Sequence, residues 1–152
     1  RDTTGLIVLA KHALSAAVLS QAMRSREIHR TYQAFALGET AASGTIDAPI
    51  ARLNGSLIQR TVDFASGERS VTHYRTPRII ECRLETGRTH QIRVHMAYIG
   101  HPLLGDTLYN KTPGTFPRQA LHSASLSFVH PITGEPLNFH APLPEDMQNL
   151  LT

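Results

Sequence analysis

The 152-residue chain has one cysteine, Cys82, so no disulfide can form within it, and that usage fits a reducing compartment. It has no apolar run near the ~20 residues of a membrane-spanning helix. The opening "RDTTGLIVLAKH" is not a signal peptide. The expectation is a cytoplasmic protein with no membrane partner. Internal repeats, low-complexity linkers and composition shifts are absent too, so residues 1–152 read as one domain, with a monomer as the default. A chain of this size can bury roughly 68–70% of its unfolded surface, enough for a core without staples. Its 41% hydrophobic and 18% charged residues are ordinary for a folded protein and argue against disorder. Lysine is scarce: Lys11 and Lys111 are the two lysines among fifteen basic residues, which leaves thirteen arginines. Against 12 acids the net charge is +3 and the pI near 9.4. That balance alone is weak evidence for a polyanionic partner, but arginine is the cation for bidentate phosphate contact and for stacking on bases.

What is present reads as more strand than helix. "TGLIVLAK" has the aliphatic density of a buried strand. From 13 to 27, Leu14, Val18 and Ala22, with Leu19 and Met23, recur at helical spacing. "HRTYQAFALGE" reads as a strand ended by Gly38, and "GTIDAPIARL" as a short strand and a proline-bounded loop. "SLIQRTVDF" and "SVTHYRT" read as strands joined through the turn "ASGE". In "PRIIECRLETG" the residues Ile80, Cys82 and Leu84 alternate with Ile79, Glu81 and Arg83, a strand with one buried face. Residues 89–99 read as a helix stopped by Gly100, the segment around "ITGE" as a hairpin, and "PEDMQNLL" as a closing helix with proline at its start. Tight turns join only antiparallel neighbours. The fold class expected is therefore α+β, with a mixed, mainly antiparallel sheet and two main helices packed on it.

The segment "TGRTHQIRVH", residues 86–95, carries Arg88, His90, Arg93 and His95 and no acid. On a helix Arg93 shares its face with Met96, Ala97, His90 and Thr89, a largely apolar setting. Burying a guanidinium there costs several kcal/mol unless a carboxylate or phosphate meets it. Arg93 either has an anionic partner or lies with its stem on the core and its head in water. A zinc-protease helix would need histidines at i and i+4 with a glutamate between; His90 and His95 are five apart, and the other histidines are scattered. No metal is expected, and Cys82 reads as a core residue. A second cationic group, Arg24, Arg26, His29 and Arg30, precedes Tyr32, whose strand face also holds Ala34 and Ala36. The small residues leave space beside the ring, as in a platform for an unstacked base, and equally a tyrosine packed on the core with a wet hydroxyl fits.

Five blocks, "DTTGLIVLAK", "HRTYQAFALG", "GTIDAPI", "ETGRTHQIRVHMAYIGHPLLGD" and "QALHSASLSFVHPITGEPLNFHAPLP", resemble in order and spacing the RluA-type pseudouridine synthases, from Asp2 to about Met147. The resemblance implies a catalytic domain on a mixed, mostly antiparallel sheet with a central cleft, and neither cofactor nor catalytic metal. It implies isomerisation of uridine to pseudouridine in structured RNA, ribosomal RNA before transfer RNA, by an aspartate nucleophile acting on a flipped-out base. By position Tyr32 falls on the family's active-site tyrosine and Arg93 on the basic residue that pairs with the catalytic aspartate. Thr3 lies in the loop after the nucleophile, and Arg30, Arg88 and His90 are placed for RNA. The family's nucleophile ends a segment "HRLD" two residues ahead of "TTG"; here those two residues are Arg1 and Asp2. The nucleophile would thus precede Arg1, Asp2 is not it, and the chain reads as a catalytic domain lacking its N-terminal portion. Two expectations follow: the 152 residues alone are inactive, and Arg93 faces the cleft without its acid, at a cost in stability. The alternative is a non-catalytic RNA-binding module that keeps the fold.

Overall fold

The computed structural model describes residues 2–76 and 78–151. The chain order is β1 (Thr4–Gly5), α1 (Ala13–Arg24), β2 (His29–Ala34), β3 (Ser43–Asp47), β4 (Ile50–Arg52), β5 (Arg60–Val62), β6 (Val71–Arg75), β7 (Ile80–Leu84), α2 (Gln91–Tyr98), β8 (Leu121–Val129), β9 (Pro136–His140) and α3 (Glu145–Gln148). Seven strands form one sheet in the order β1-β8-β2-β7-β6-β3, with β9 also on β8. β1 and β8 run parallel, and every other pairing is antiparallel. This is the mixed, mainly antiparallel α+β architecture expected.

Where the residue pattern had a partner to pair with, the strand formed. On β7, Ile80 and Cys82 are buried while Arg83 is exposed, and burial pushes the Cys82 thiol up to about 12, as suits an inert core residue. The "ITGE" hairpin joins β8 to β9. Two expectations fail for want of a partner. "TGLIVLAK" yields a strand of two residues, Thr4 and Gly5, opposite His122 and Ser123. Beyond Ser123 that edge of β8 is already taken by β9, from Ser125 to Val129. Leu6 and Val8 pack instead under α1, while Ile7 and Leu9 stay about three-quarters exposed, at 77% and 76%. Similarly, "ASGE" does not make a hairpin of its flanking strands. β5 pairs with β4 in a separate two-stranded sheet, whereas β6 lies between β3 and β7. The turn itself is held by Asp63, whose carboxylate accepts from the Ala65 and Ser66 amides and the Ser66 hydroxyl, and these bonds hold its pKa below the usual value.

α2 is the central packing element. Six consecutive residues, Gln91 to Met96, are buried, so the helix is enclosed all round rather than amphipathic. Ile92 and Met96 join Ala34, Ile46, Ile80, Cys82, Leu103 and Leu121 in the main core. Its buried polar groups are matched. The Gln91 carboxamide oxygen accepts from the Thr86 hydroxyl (2.8 Å) and Arg88 amide (3.0 Å), and its NH2 donates to the Val71 carbonyl (2.9 Å) and the Thr72 hydroxyl (3.1 Å). His95 donates from Nε2 to the Ala48 carbonyl (2.8 Å), which fixes the tautomer, so Nδ1 accepts from the Thr72 hydroxyl (2.8 Å). These bonds pin the helix to β6 and leave its N-terminal end over the sheet.

Candidate active site

A cavity of about 670 Å³ opens between the N-terminal turn of α2, the face of β2, and the loop leading into β1. All six residues singled out in the sequence, Thr3, Arg30, Tyr32, Arg88, His90 and Arg93, line it. Asp2 is not among the lining residues, and Arg1 lies outside the described residues. Among the described residues the lining contains three arginines and no carboxylate.

Tyr32 stands on β2 between Cys82 of β7 and Ser123 of β8, and a bulge between Thr31 and Tyr32 shifts the register against β8. Such a bulge re-aims the side chain that follows it. The ring packs partly on the main core and partly lines the cavity, a core tyrosine with one side open. β1, on the far side of β8 in the same sheet, supplies another part of the lining wall. Gly5 has φ +97, and a Cβ there would collide with the Ser123 carbonyl, so only glycine lets the chain pass this close to β8. Thr4 Oγ1 bonds His122 Nδ1 at 2.9 Å, and Gln119 Nε2 donates to Thr3 Oγ1 at 3.3 Å, which anchors that wall.

Arg93 is 9% exposed, and it has an acid. Nε donates to Asp106 Oδ2 and Nη2 to Oδ1, each at 2.7 Å, a bidentate pair with a fully buried carboxylate. Oδ1 also accepts the Leu108 and Tyr109 amides, at 3.1 and 3.2 Å. The Tyr109 ring lies 5.0 Å from the Arg93 guanidinium carbon. The expected uncompensated arginine is therefore corrected: this chain supplies the counter-charge, thirteen residues further on, through a loop that the sequence pattern left unplaced. Gly105 makes that loop possible. Its φ is +67, and a Cβ would strike the Arg118 carbonyl.

His90 caps α2 rather than lying within it, with φ +59 in the left-handed region, a conformation that costs a non-glycine residue of order 1 kcal/mol or more. Its Nδ1 lies 2.8 Å from the Tyr109 hydroxyl, and the two rings meet edge to face. The same hydroxyl accepts the Arg60 amide at 2.9 Å. Burial first, then the neighbouring Arg93 charge, lowers the His90 pKa, so the ring is neutral at pH 7. Burial raises that of Tyr109. His90 and His95 diverge, one onto Tyr109 and the other between Thr72 and Ala48, and do not share a ligand position. Arg88 bonds at the surface: Nη1 meets Glu68 at 2.5 Å with both side chains substantially exposed, and Nε donates to the Arg69 carbonyl at 3.4 Å. Asp106 and Tyr109 are the residues that reasoning on the sequence missed; the block "GHPLLGD" carried the aspartate, but nothing in its spacing tied it to Arg93.

A family model described as RNA pseudouridylate synthase matches residues 1–98. Bacillus subtilis "Uncharacterized RNA pseudouridine synthase YjbO" is 49% identical over 158 residues, spanning 99% of this chain and 56% of that protein. Escherichia coli "Ribosomal large subunit pseudouridine synthase D" is 43% identical over 171 residues, spanning 99% of this chain and 52% of its own length. The chain thus spans about half the length of the curated relatives it matches. In structure it is similar to human RNA Pseudouridylate Synthase Domain Containing 1, with a TM-score of 0.73 at 23% identity over 88% of this chain and 62% of that one, a likeness of fold. With the family model matching well over half of its residues, the chain belongs to the RNA pseudouridylate synthase family.

Proposed function

We propose that this chain forms the main part of an active site that isomerises uridine to pseudouridine in RNA. The observation that carries the reading is the cavity in which Tyr32 meets three arginines, Arg30, Arg88 and Arg93, with no acid among the described lining residues. In the reaction the N1–C1′ bond breaks, a C5–C1′ bond forms, the C5 proton leaves and N1 regains one, so the product is an isomer. A uridine reaches such a cavity only when flipped from its stack. The half-buried Tyr32 ring offers it a stacking face, and Arg30 and Arg88 meet backbone phosphates.

Asp106 and Tyr109 fix one edge of the Arg93 guanidinium, which makes Arg93 a rigid cation at the cavity wall. A carboxylate brought into the cavity is held ionised by such a charge, ready to act as nucleophile. We assign that carboxylate to an aspartate immediately preceding Arg1, in a longer protein of which these residues are the catalytic domain's C-terminal portion. The name of the Escherichia coli relative favours ribosomal RNA as substrate and, with it, a cytoplasmic protein.

Release of tritium from RNA labelled at uridine C5 tests the assignment. The chain extended upstream through the aspartate should release tritium, and the 152-residue chain should not. Turnover by the short chain would place the nucleophile within it. An extended chain that binds RNA without release would be the non-catalytic module instead.

A further inference from the structure

A second cavity, of about 420 Å³, lies on the far side of Tyr109, walled by Arg60 and Val62 of β5, Phe64, Val94 and Tyr98 of α2, and Tyr109 itself. Its chemistry is unusual in two respects. Phe64 and Tyr98 are large aromatic side chains left 71% and 54% exposed. Beside them the Arg60 side chain lines the cavity as its one cation among the described residues, with Nη1 itself enclosed and without a hydrogen-bond partner. No acid lines this cavity among the described residues, so it suits a ligand with a flat π-face and an acceptor oxygen.

Tyr109 ties the two cavities together. One ring forms the wall of the second cavity, carries Arg93 of the first at 5.0 Å, and bonds His90 of the first at 2.8 Å. We propose that the second cavity takes another unstacked base of the same RNA, stacked against Phe64 or Tyr98 with a carbonyl oxygen on Arg60, while the target uridine occupies the first. The proposal rests on RNA being the substrate. Base–aromatic stacking is sequence-tolerant, and the carbonyl contact would favour uracil or guanine over adenine.

The test uses the 152-residue chain and fluorescently labelled hexauridylate containing 4-thiouridine, with hexaadenylate for comparison. Stacking on an aromatic side chain is worth enough that its loss weakens binding by about fivefold or more. Phe64→Ala/Tyr98→Ala should therefore weaken hexauridylate binding by at least about fivefold, and Tyr98→Phe should not. Both side chains are largely exposed, so the fold survives the truncation. Arg60→Gln should weaken hexauridylate more than hexaadenylate. Photo-crosslinks of the wild type should fall both on the Tyr32 segment and on the Phe64 or Tyr98 segment. Tight hexauridylate binding that is indifferent to the double variant, or crosslinks confined to the first cavity, would overturn the second subsite and leave the RNA reading intact. A wild type that binds neither oligomer would overturn both.

Discussion

The Arg93–Asp106 pair holds together only as a pair. Removing one partner strands the other charge out of water, which typically costs about 3–5 kcal/mol, while replacing both by apolar residues of similar volume is often neutral. Asp106→Ala should therefore shift the urea midpoint strongly downward, and Arg93→Met/Asp106→Leu should recover the part due to the stranded guanidinium but not the part due to the Leu108 and Tyr109 amides that Asp106 accepts. In the upstream-extended enzyme the double variant should lack tritium release even where it is folded, because a core without the guanidinium no longer holds a nucleophile ionised. A recovered double variant with normal turnover would remove the role assigned to Arg93. Tyr32→Phe should slow release while leaving RNA affinity nearly unchanged, since the ring face stays and only the hydroxyl goes. A second residue-scale effect concerns His95. Burial lowers its pKa below the ordinary 6.5, so only well above pH 6.5 do folded and unfolded forms bind the same number of protons at this site. As pH falls through 6.5 the unfolded chain takes up a proton that the folded one resists, and stability declines. His90 shifts the same way and adds to it. Urea midpoints from pH 7.5 to 5.5 should fall toward acid, and NMR should show the His95 ring still neutral after an exposed imidazole of ordinary pKa has become half-charged.

At the scale of elements, the loop from Leu103 to Asn110 decides whether the helix can carry its arginine to the cavity. Asn110 Nδ2 donates to the Leu103 carbonyl at 2.9 Å and closes the loop on itself, and Gly105 carries the left-handed turn against Arg118. Gly105→Ala combines a strained φ with a backbone collision and should cost roughly 2 kcal/mol or more, read as a drop in Tm. Because it also displaces Asp106, it should slow tritium release in the extended enzyme beyond what the stability loss explains. Such loops explain what the sequence concealed. The alternation of Ile80, Cys82 and Leu84, the Gly100 stop of α2 and the β8–β9 hairpin were legible because the signal and its consequence are adjacent in the chain. The strand expected in "TGLIVLAK" was not, since β9, more than a hundred residues away, already occupies the edge it would have used. Arg93's need for an acid could be read from its apolar neighbours; which acid answers depends on a turn whose geometry only tertiary packing sets.

Across the whole molecule, the arginine skew becomes a surface with a direction. Arg30, Arg88 and Arg93 line one cavity, although Arg30 and Arg88 are separated by 58 positions in the chain, and the resemblance to the family, not any local pattern, grouped them beforehand. Binding that neutralises phosphates releases counterions, and for a single strand each contact contributes roughly −0.7 to the slope of log K against log salt. Arg30→Gln and Arg88→Gln should each flatten that slope by somewhat less than one unit, whereas Tyr32→Phe should leave it alone. If Arg88 meets RNA as proposed, Glu68 would compete for it: the ion pair is short, but with 42% and 68% of the two side chains exposed it is worth little, so a phosphate could displace it. Glu68→Gln removes both the competitor and a negative charge beside the cavity mouth, and should tighten RNA binding severalfold at 50 mM salt, with the gain shrinking by 200 mM as screening sets in. Were Glu68→Gln to weaken binding instead, the carboxylate would be positioning Arg88 for phosphate rather than withholding it, and the salt slope of Arg88→Gln would decide between the two.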